Sequence, residues 1–338
     1  MKITFKNVGQ GDSILLEWQR DTESHSRIGI IDCKKIGNIN PTLEHIKKIS
    51  ISKIDFIVLS HPHHDHYSGM LELLDYCEEK GIRINKFINS AGDNDSYLHW
   101  FGKDDNDSQK LLEQIYNKCI HMFESELINS IGKPFYGMPL RINNDFTIFC
   151  LSPSDAETAL YYNRVELYRE VDEQKASQWA NVLSTVFLIK SNEEHYCILT
   201  SDATIEVFDR IRANDMHHLG QSRLLLSQIP HHGSKDNHQI RFWNQLTYQS
   251  NTPAIISAGK HGKYNHPHKI VINDFYNHNY KVYSTNSVNG MADFMTERES
   301  GVSMYLNMIS NIIEKYEVDG DQVFKLTPND LTYIPNNN

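Results

Sequence analysis

Five metal-ligating side chains fall within six consecutive positions of Ser60-His61-Pro62-His63-His64-Asp65-His66. Neutral imidazole and carboxylate are the usual nitrogen and oxygen ligands of divalent zinc and related ions. Such a cluster has no packing use, and without a cation it crowds polar groups that lack hydrogen-bond partners. The competing reading is a surface histidine cluster. Further along, Asp202 ends an apolar run, where a helix N-cap is its bland alternative. His231-His232-Gly233-Ser234 and Asn265-His266-Pro267-His268 supply more imidazoles. A histidine of near-neutral pKa suits general-acid work, although which of His231 and His232 faces inward is not readable. Ser234 and Lys235 add donors for a phosphate oxygen, whereas His217 and His218 fit an exposed helix face.

The elements that must position these groups alternate between strand and helix, which indicates a layered α/β arrangement. Short strands are expected at Lys2–Phe5, Ser13–Trp18, Arg27–Asp32, Lys53–Ser60 and Ile84–Asn89. One helix follows Pro41, and another runs from an N-cap at Ser68 to Lys80, stopped by Gly81. The ligand cluster thus falls on a loop at a sheet edge. The polar stretch at about 90–143 reads as an insertion with one helix near Ser108–Glu124. A strand at Phe146–Leu151 leads into a charged helical segment at about 155–178, with Tyr161, Tyr162, Leu167 and Val171 as a partial apolar stripe. Strands at Thr185–Lys190, Tyr196–Thr200, Leu224–Ile229, Ala254–Ser257 and Lys281–Ser284 follow. Helices are expected beyond Thr204, at about Gln239–Leu246 and from about His268. Ser303–Ile309 reads as an edge strand or short extension. A single domain spans 1–310, with a C-terminal extension at 311–338 and a frayed end.

Bulk properties narrow the function. The 338 residues can bury a self-sufficient core. No apolar run approaches the roughly 18–20 residues that span a bilayer, and the polar start is not a secretory signal, so no membrane and a cytoplasmic location are expected. Cys33, Cys77, Cys119, Cys150 and Cys197 form no CxxC pair and read as reduced, mostly buried thiols. A formal charge of −10 disfavours bulk attraction to nucleic acid. Between His231 and Lys281, however, six Lys and Arg face two Asp. That local surplus fits an anionic substrate held at one place, against the alternative of a solvated face.

The H-x-H-x-D-H pattern after an apolar strand resembles the metal motif of the metallo-β-lactamase superfamily. Asn7-Val8-Gly9-Gln10-Gly11-Asp12-Ser13, Ile30-Ile31-Asp32, Thr200-Ser201-Asp202, His231-His232-Gly233-Ser234, and Ser257-Ala258-Gly259 through Tyr264-Asn265-His266-Pro267 follow in order. Together they resemble the hydrolase domain of ComEC-type DNA-uptake proteins, whose membrane segments this chain lacks. The resemblance implies a four-layer αβ/βα sandwich with two divalent metal ions, zinc or alternatively manganese. It places His61 and His63 on the first metal, Asp65 and His66 on the second, and Asp202 between them, with Asp65 also a catalytic candidate. His266 is the expected remaining ligand of the second metal, with His268 as competitor. Asp32 is expected to accept a hydrogen bond from the ligand loop and orient a histidine. Where many members supply another histidine, this chain has Asn181, a weaker zinc ligand whose amide oxygen suits harder ions such as manganese. His231 and His232 sit where phosphodiester-cleaving relatives act on the leaving group or bind phosphate.

Two metals about 3.5–4 Å apart bring the pKa of a shared water near neutrality and neutralise phosphoryl charge. With the basic segment beside them, the expected activity is that of a phosphodiesterase or nuclease, on single-stranded DNA for instance. Hydrolysis of a cyclic or other small nucleotide, of a lactam, lactone or thioester, and a non-catalytic metal-binding subunit stay open. So do a protein partner and self-association.

Overall fold

The computed structural model describes residues 1–19, 26–49, 51–90, 106–168, 171–191, 194–306 and 319–335. Among these, one sheet runs in the order Leu331–Ile334, Gln322–Leu326, Lys2–Phe5, Ile14–Trp18, Arg27–Ile31, Phe56–Leu59, Phe87–Asn89, Ile131–Gly132. The second runs Tyr280–Ser284, Thr252–Ile256, Arg223–Gln228, His195–Leu199, Val186–Lys190, Thr147–Ser152, Pro139–Arg141, with Thr247–Tyr248 pairing Arg223–Gln228.

In the central strands, period-two side-chain alternation divides residues between two apolar seams. In Phe56–Leu59, Phe56 and Val58 face the other sheet, while Ile57 and Leu59 face helices. Burial on both faces is why this run carries no polar residue. In the second sheet Phe187 and Ile189 join the central seam and Leu188 the outer one. The outer seams are closed by helices with apolar residues at helical spacing. Met70, Leu73, Leu74 and Cys77 of Met70–Glu79 cover the first sheet, and Val271, Ile272 and Phe275 of Lys269–Asn277 cover the second. Helix, sheet, sheet, helix is the four-layer αβ/βα sandwich that the family resemblance implies.

The two sheets repeat one topological change. Ile14–Trp18 and Arg27–Ile31 pair antiparallel, after which Arg27–Ile31, Phe56–Leu59 and Phe87–Asn89 run parallel. In the second sheet Val186–Lys190 and His195–Leu199 pair antiparallel, followed by parallel pairing of His195–Leu199, Arg223–Gln228 and Thr252–Ile256. Asp32 and Asp202 follow the strands at these two switches. The His61 cluster and the His231-His232 pair follow the next strand of each half. Carboxyl ends of strands at such switch points form crevices, and here two of them bring the chemistry-bearing residues to one end of the sandwich.

Several local expectations are corrected. Lys53–Ser60 is two strands, Lys53–Ile54 pairing Arg83–Ile84 in a separate ribbon before Phe56–Leu59 joins the main sheet. Ser68 does not cap the long helix, because a short helix, His64–Tyr67, begins inside the ligand cluster and Gly69 holds the cap position. Asp65 and His66 are therefore helical rather than on a loop. Leu167 and Val171 are exposed, since Tyr161 and Val165 take the core face of Asp155–Tyr168 and Asp172 caps a separate helix, Glu173–Gln178. Residues 303–306 belong to the helix Asn289–Leu306 rather than a strand, and 307–309 lie outside the described residues. Beyond them Gln322–Leu326 pairs antiparallel with Lys2–Phe5, and Phe324 and Leu326 complete the central seam. In the stretch expected to be an insertion, the helix Asn106–Glu124 buries Leu112, Ile115, Cys119 and Met122 in the first outer seam. All five cysteines are buried.

Candidate metal centre

Each chemistry-bearing segment leaves its strand through a turn held by backbone strain or close packing. Asp32, Ser201, His231 and His232 all have positive φ (60°, 48°, 47° and 55°), although none is glycine. Such conformations persist where surroundings over-determine them, typically at functional sites. Gly11 is required for another reason: a Cβ there would lie 2.2 Å from the Asp65 carbonyl oxygen. That contact lets the Asp12 N–H donate to the same oxygen at 3.1 Å, tying the Gly9–Ser13 turn to the ligand helix.

Asp65, His66, Asp202 and His232 gather in one group, and His61, His63 and Asp202 in another, each with ligand atoms within 4.8 Å of one another. Asp202 is common to both. Its Oδ2 lies 3.6 Å from His61 Nε2 and 3.5 Å from His66 Nε2, and its Oδ1 lies 3.5 Å from His232 Nε2. His232 Nε2 is also 3.4 Å from Asp65 Oδ2. Ligand atoms about 2.1 Å from one tetrahedral cation are separated from each other by about 3.4 Å. The observed separations have that spacing.

Protein acceptors turn these rings inward. His66 Nδ1–H donates to Asp32 Oδ2 at 2.7 Å, His63 Nε2–H to the Ser177 carbonyl at 3.0 Å, and His232 Nδ1–H to the Ser257 carbonyl at 3.0 Å. His231 Nδ1–H donates to Asn237 Oδ1 at 2.7 Å, which leaves its Nε2 3.5 Å from Asp202 Oδ2. One nitrogen of each ring is thus occupied by a protein acceptor, and the other faces the cluster. This is how outer partners orient metal-binding imidazoles.

The buried atoms His66 Nε2, His232 Nε2 and Asp202 Oδ1 have no hydrogen-bond partner. Each such orphan costs about 1–3 kcal/mol, so three in one place call for a cation. Burial opposes charge on His66, but Asp202 and Asp32 hold its pKa well above the usual imidazole range. His232 is likewise raised, to about 9, against burial, by Asp202 and Asp65. Burial favours neutral Asp202, yet His231, His232 and His66 hold its pKa well below the carboxylate range. His61, which burial desolvates and His66 repels, is pushed well down. The donor set therefore fits divalent cations held by His and Asp.

The remaining expected residues are placed as follows. Asp32 is fully buried and accepts from Ser60 N (2.8 Å), Ser60 Oγ (2.6 Å) and His66. Asn181 is buried on the turn after Ser177, and its amide oxygen has no hydrogen-bond partner. His266 falls outside both groups. It is buried, lies edge-on to His231 with ring centroids 5.3 Å apart, and has its pKa lowered to about 3 by burial and then by His231 and His232. His268 holds the N-cap position of Lys269–Asn277, and its Nδ1 accepts from Lys235 N at 3.2 Å. Ser234 Oγ accepts from Asp236 N in a local turn, and the Lys235 side chain is exposed.

Sequence reasoning assigned no role to several residues that hold the site. Gln228 ends an apolar strand; its Oε1 accepts from Thr200 N (2.9 Å) and Ser201 N (3.0 Å), and its Nε2 donates to Asp12 Oδ2 (2.8 Å). The turn delivering Asp202 is thereby tied to the Gly9–Ser13 turn across the sandwich. Asn237 completes a second tie, with Nδ2 donating to the carbonyls of Asp202 (3.3 Å) and Ala203 (3.2 Å). The usable signals were a lone amide closing the run Leu224-Leu225-Leu226-Ser227-Gln228, and an Asn within the same loop as the histidine pair.

A family model described as the metallo-beta-lactamase superfamily matches residues 20–113, which include the His61–His66 cluster. No curated protein matches the chain by sequence. Among solved structures, the metallo-beta-lactamase fold protein YhfI from Bacillus subtilis is 13% identical, covering 85% of this chain and 98% of its own, at a TM-score of 0.45. A diphosphatase from the PhnP family is 11% identical, covering 74% of each chain, at 0.36. A long-form RNase Z from yeast is 14% identical, at 0.37, with 77% of this chain covering 37% of that one. The matched motif and the four-layer architecture make this the α/β metallo-β-lactamase fold. Among the described residues, no helix is long and apolar enough to cross a membrane.

Proposed function

We propose that the chain is a metal-dependent phosphodiester hydrolase, with single-stranded nucleic acid as the favoured substrate. The electrostatics of the open side of the cluster carry this conclusion. Asp65 is 29% exposed and His231 22%, while Asp202, His61, His66 and His232 are at most 2%. Lys34 acts electrostatically on Asp65 and Asp12, and exposed Lys235, Lys260 and Lys263 stand on the neighbouring loops. Lysines on the loops beside a His/Asp centre, in a chain of net charge −10, favour a localised anion. The order of motifs resembling ComEC-type hydrolase domains supports the same reading.

In this reading His61, His63 and Asp202 would hold one cation and Asp65, His66, Asp202 and His232 the other, with Asn181 as a weak additional ligand of the first. Zinc suits the imidazole-rich set, and manganese suits a site completed by an amide oxygen. Bound cations supply an activated water and neutralise phosphoryl charge. Asp32 and the Ser177 and Ser257 carbonyls hold three ligand rings in position. His231, the more exposed of its pair, carries a proton on Nε2 to the leaving oxygen, and Asn237 keeps that nitrogen facing the cluster. Lys235 neutralises a flanking phosphate.

Purified protein loaded with zinc or manganese is assayed on single- and double-stranded DNA, RNA, a cyclic nucleotide, a bis-aryl phosphodiester, a lactam and a thioester. Turnover of phosphodiesters with none on the lactam or thioester is expected. Turnover of the lactam or thioester alone, or bound metal without any turnover, overturns the assignment.

A further inference from the structure

His261 and Tyr264 stand where the cluster opens to solvent, and the mechanism above does not use them. The segment carrying them, Gly259–His266, is pinned at both ends. A Cβ on Gly259 would lie 2.0 Å from the Gln10 backbone nitrogen, so this end presses on the Gly9–Ser13 turn. At the other end His266 packs against His231. Residues 260–265 between them are exposed. Side chains on such a tip ordinarily splay into water, yet here three rings form one row. His261 and Tyr264 stack with centroids 5.0 Å apart and planes 20° off parallel, and Tyr264 and His266 at 5.5 Å and 18°. The Lys263 N–H donates to His261 Nδ1 at 3.1 Å and fixes the outermost ring.

The row leads from solvent to His231 and thence to Asp202. Its outer end is also close to the open metal side. Burial lowers the His261 pKa, Asp65 opposes this, and Lys34, His232 and Lys263 add to it. A neutral, pre-oriented ring flanked by lysines is the combination that binds single-stranded nucleic acid, in which bases stack on flat side chains while cations follow the phosphates. Pre-orientation also reduces the entropy lost on binding.

We propose that His261 and Tyr264 form a nucleobase subsite, where an unpaired base beside the scissile phosphate extends the stack on the exposed side of His261 and Lys34 and Lys263 meet the adjoining phosphate. The subsite rests on the phosphodiesterase reading and sharpens it. Bases in a duplex are already stacked and paired, so the substrate class is an unpaired nucleotide, either within a strand or free.

The test compares kcat/KM for a single-stranded oligonucleotide, the same strand with abasic residues beside the cleaved linkage, and a dinucleotide. Stacking of one base corresponds to roughly a 5- to 100-fold preference for the base-bearing strand, expressed in KM. That ratio falls towards one in the double variant His261→Ala/Tyr264→Ala and is kept in Tyr264→Phe. Equal use of strand and dinucleotide points to a free nucleotide, and preference for the strand to nucleic acid; both uphold the subsite. A ratio near one in the unaltered protein, or one unchanged in the double variant, overturns it. Fluorescence anisotropy with labelled, phosphorothioate-linked strands, base-bearing and abasic, reads the same ratio without turnover. If no phosphodiester is cleaved, the reaction assignment fails, and equal anisotropy affinities then reject the subsite separately.

Discussion

Asp32→Asn changes one atom and leaves the side-chain shape and the left-handed backbone acceptable, yet it reverses the logic of a ligand. The carboxylate accepts three hydrogen bonds: Ser60 N at 2.8 Å on Oδ1, and Ser60 Oγ at 2.6 Å and His66 Nδ1 at 2.7 Å on Oδ2. An amide whose oxygen keeps the Ser60 N–H must point its NH2 at the other two partners. The hydroxyl can rotate to accept. The imidazole accepts on Nδ1 only by moving its proton to Nε2, the atom 3.5 Å from Asp202, and that nitrogen then has no lone pair for a cation. Keeping the original tautomer sets donor against donor. Losing a hydrogen bond to a charged acceptor costs about 1.5–3 kcal/mol, which corresponds to roughly 10- to 100-fold in affinity. Outer partners of metal-binding histidines have effects of the same size. Zinc affinity is measured on metal-free protein by chelator competition, alongside a thermal melt showing that the fold persists. Wild-type affinity for both ions in a folded Asp32→Asn protein refutes the tautomer argument.

Three further outcomes are expected. His231→Ala slows phosphodiester turnover by roughly 10²–10⁴-fold with metal content unchanged by elemental analysis; loss of metal instead makes His231 a ligand. Gln228→Leu leaves Thr200 N, Ser201 N and Asp12 Oδ2 without their partner, and at about 1–3 kcal/mol per buried orphan the urea midpoint drops markedly; an unchanged midpoint shows that the tie is dispensable. Gly259→Ala forces a Cβ against the Gln10 backbone and destabilises by about 1–3 kcal/mol in the same denaturation assay; full stability shows that the segment is not pinned there.

The layered fold was legible because burial on both faces writes itself into strands such as Phe56–Leu59 as uninterrupted apolar runs, and into Met70–Glu79 as helical spacing. The candidate cluster at His61–His66 was legible because its members are contiguous. Residues that depend on how distant loops meet were not. His232 joins the second candidate group, which does not include His266, and nothing in the local sequence reports the two successive left-handed residues at His231 and His232. His266 is instead drawn into the row with Tyr264, while Gly233 packs against Pro267 beside it. The strand Gln322–Leu326 was missed because five residues after a polar stretch give little periodicity, although Phe324 and Leu326 close the central seam. Gln228 and Asn237 act through backbone groups of other segments, a kind of contact that pattern and propensity do not encode.

Calorimetric titration of the metal-free chain with zinc tests the convergent cluster most directly. Two equivalents bind per chain, falling to one in His232→Ala and to no more than one, weakly held, in Asp202→Ala. Failure of the unaltered chain to bind zinc, or two equivalents retained in both variants, contradicts a centre built by histidines and aspartates from both halves of the sandwich.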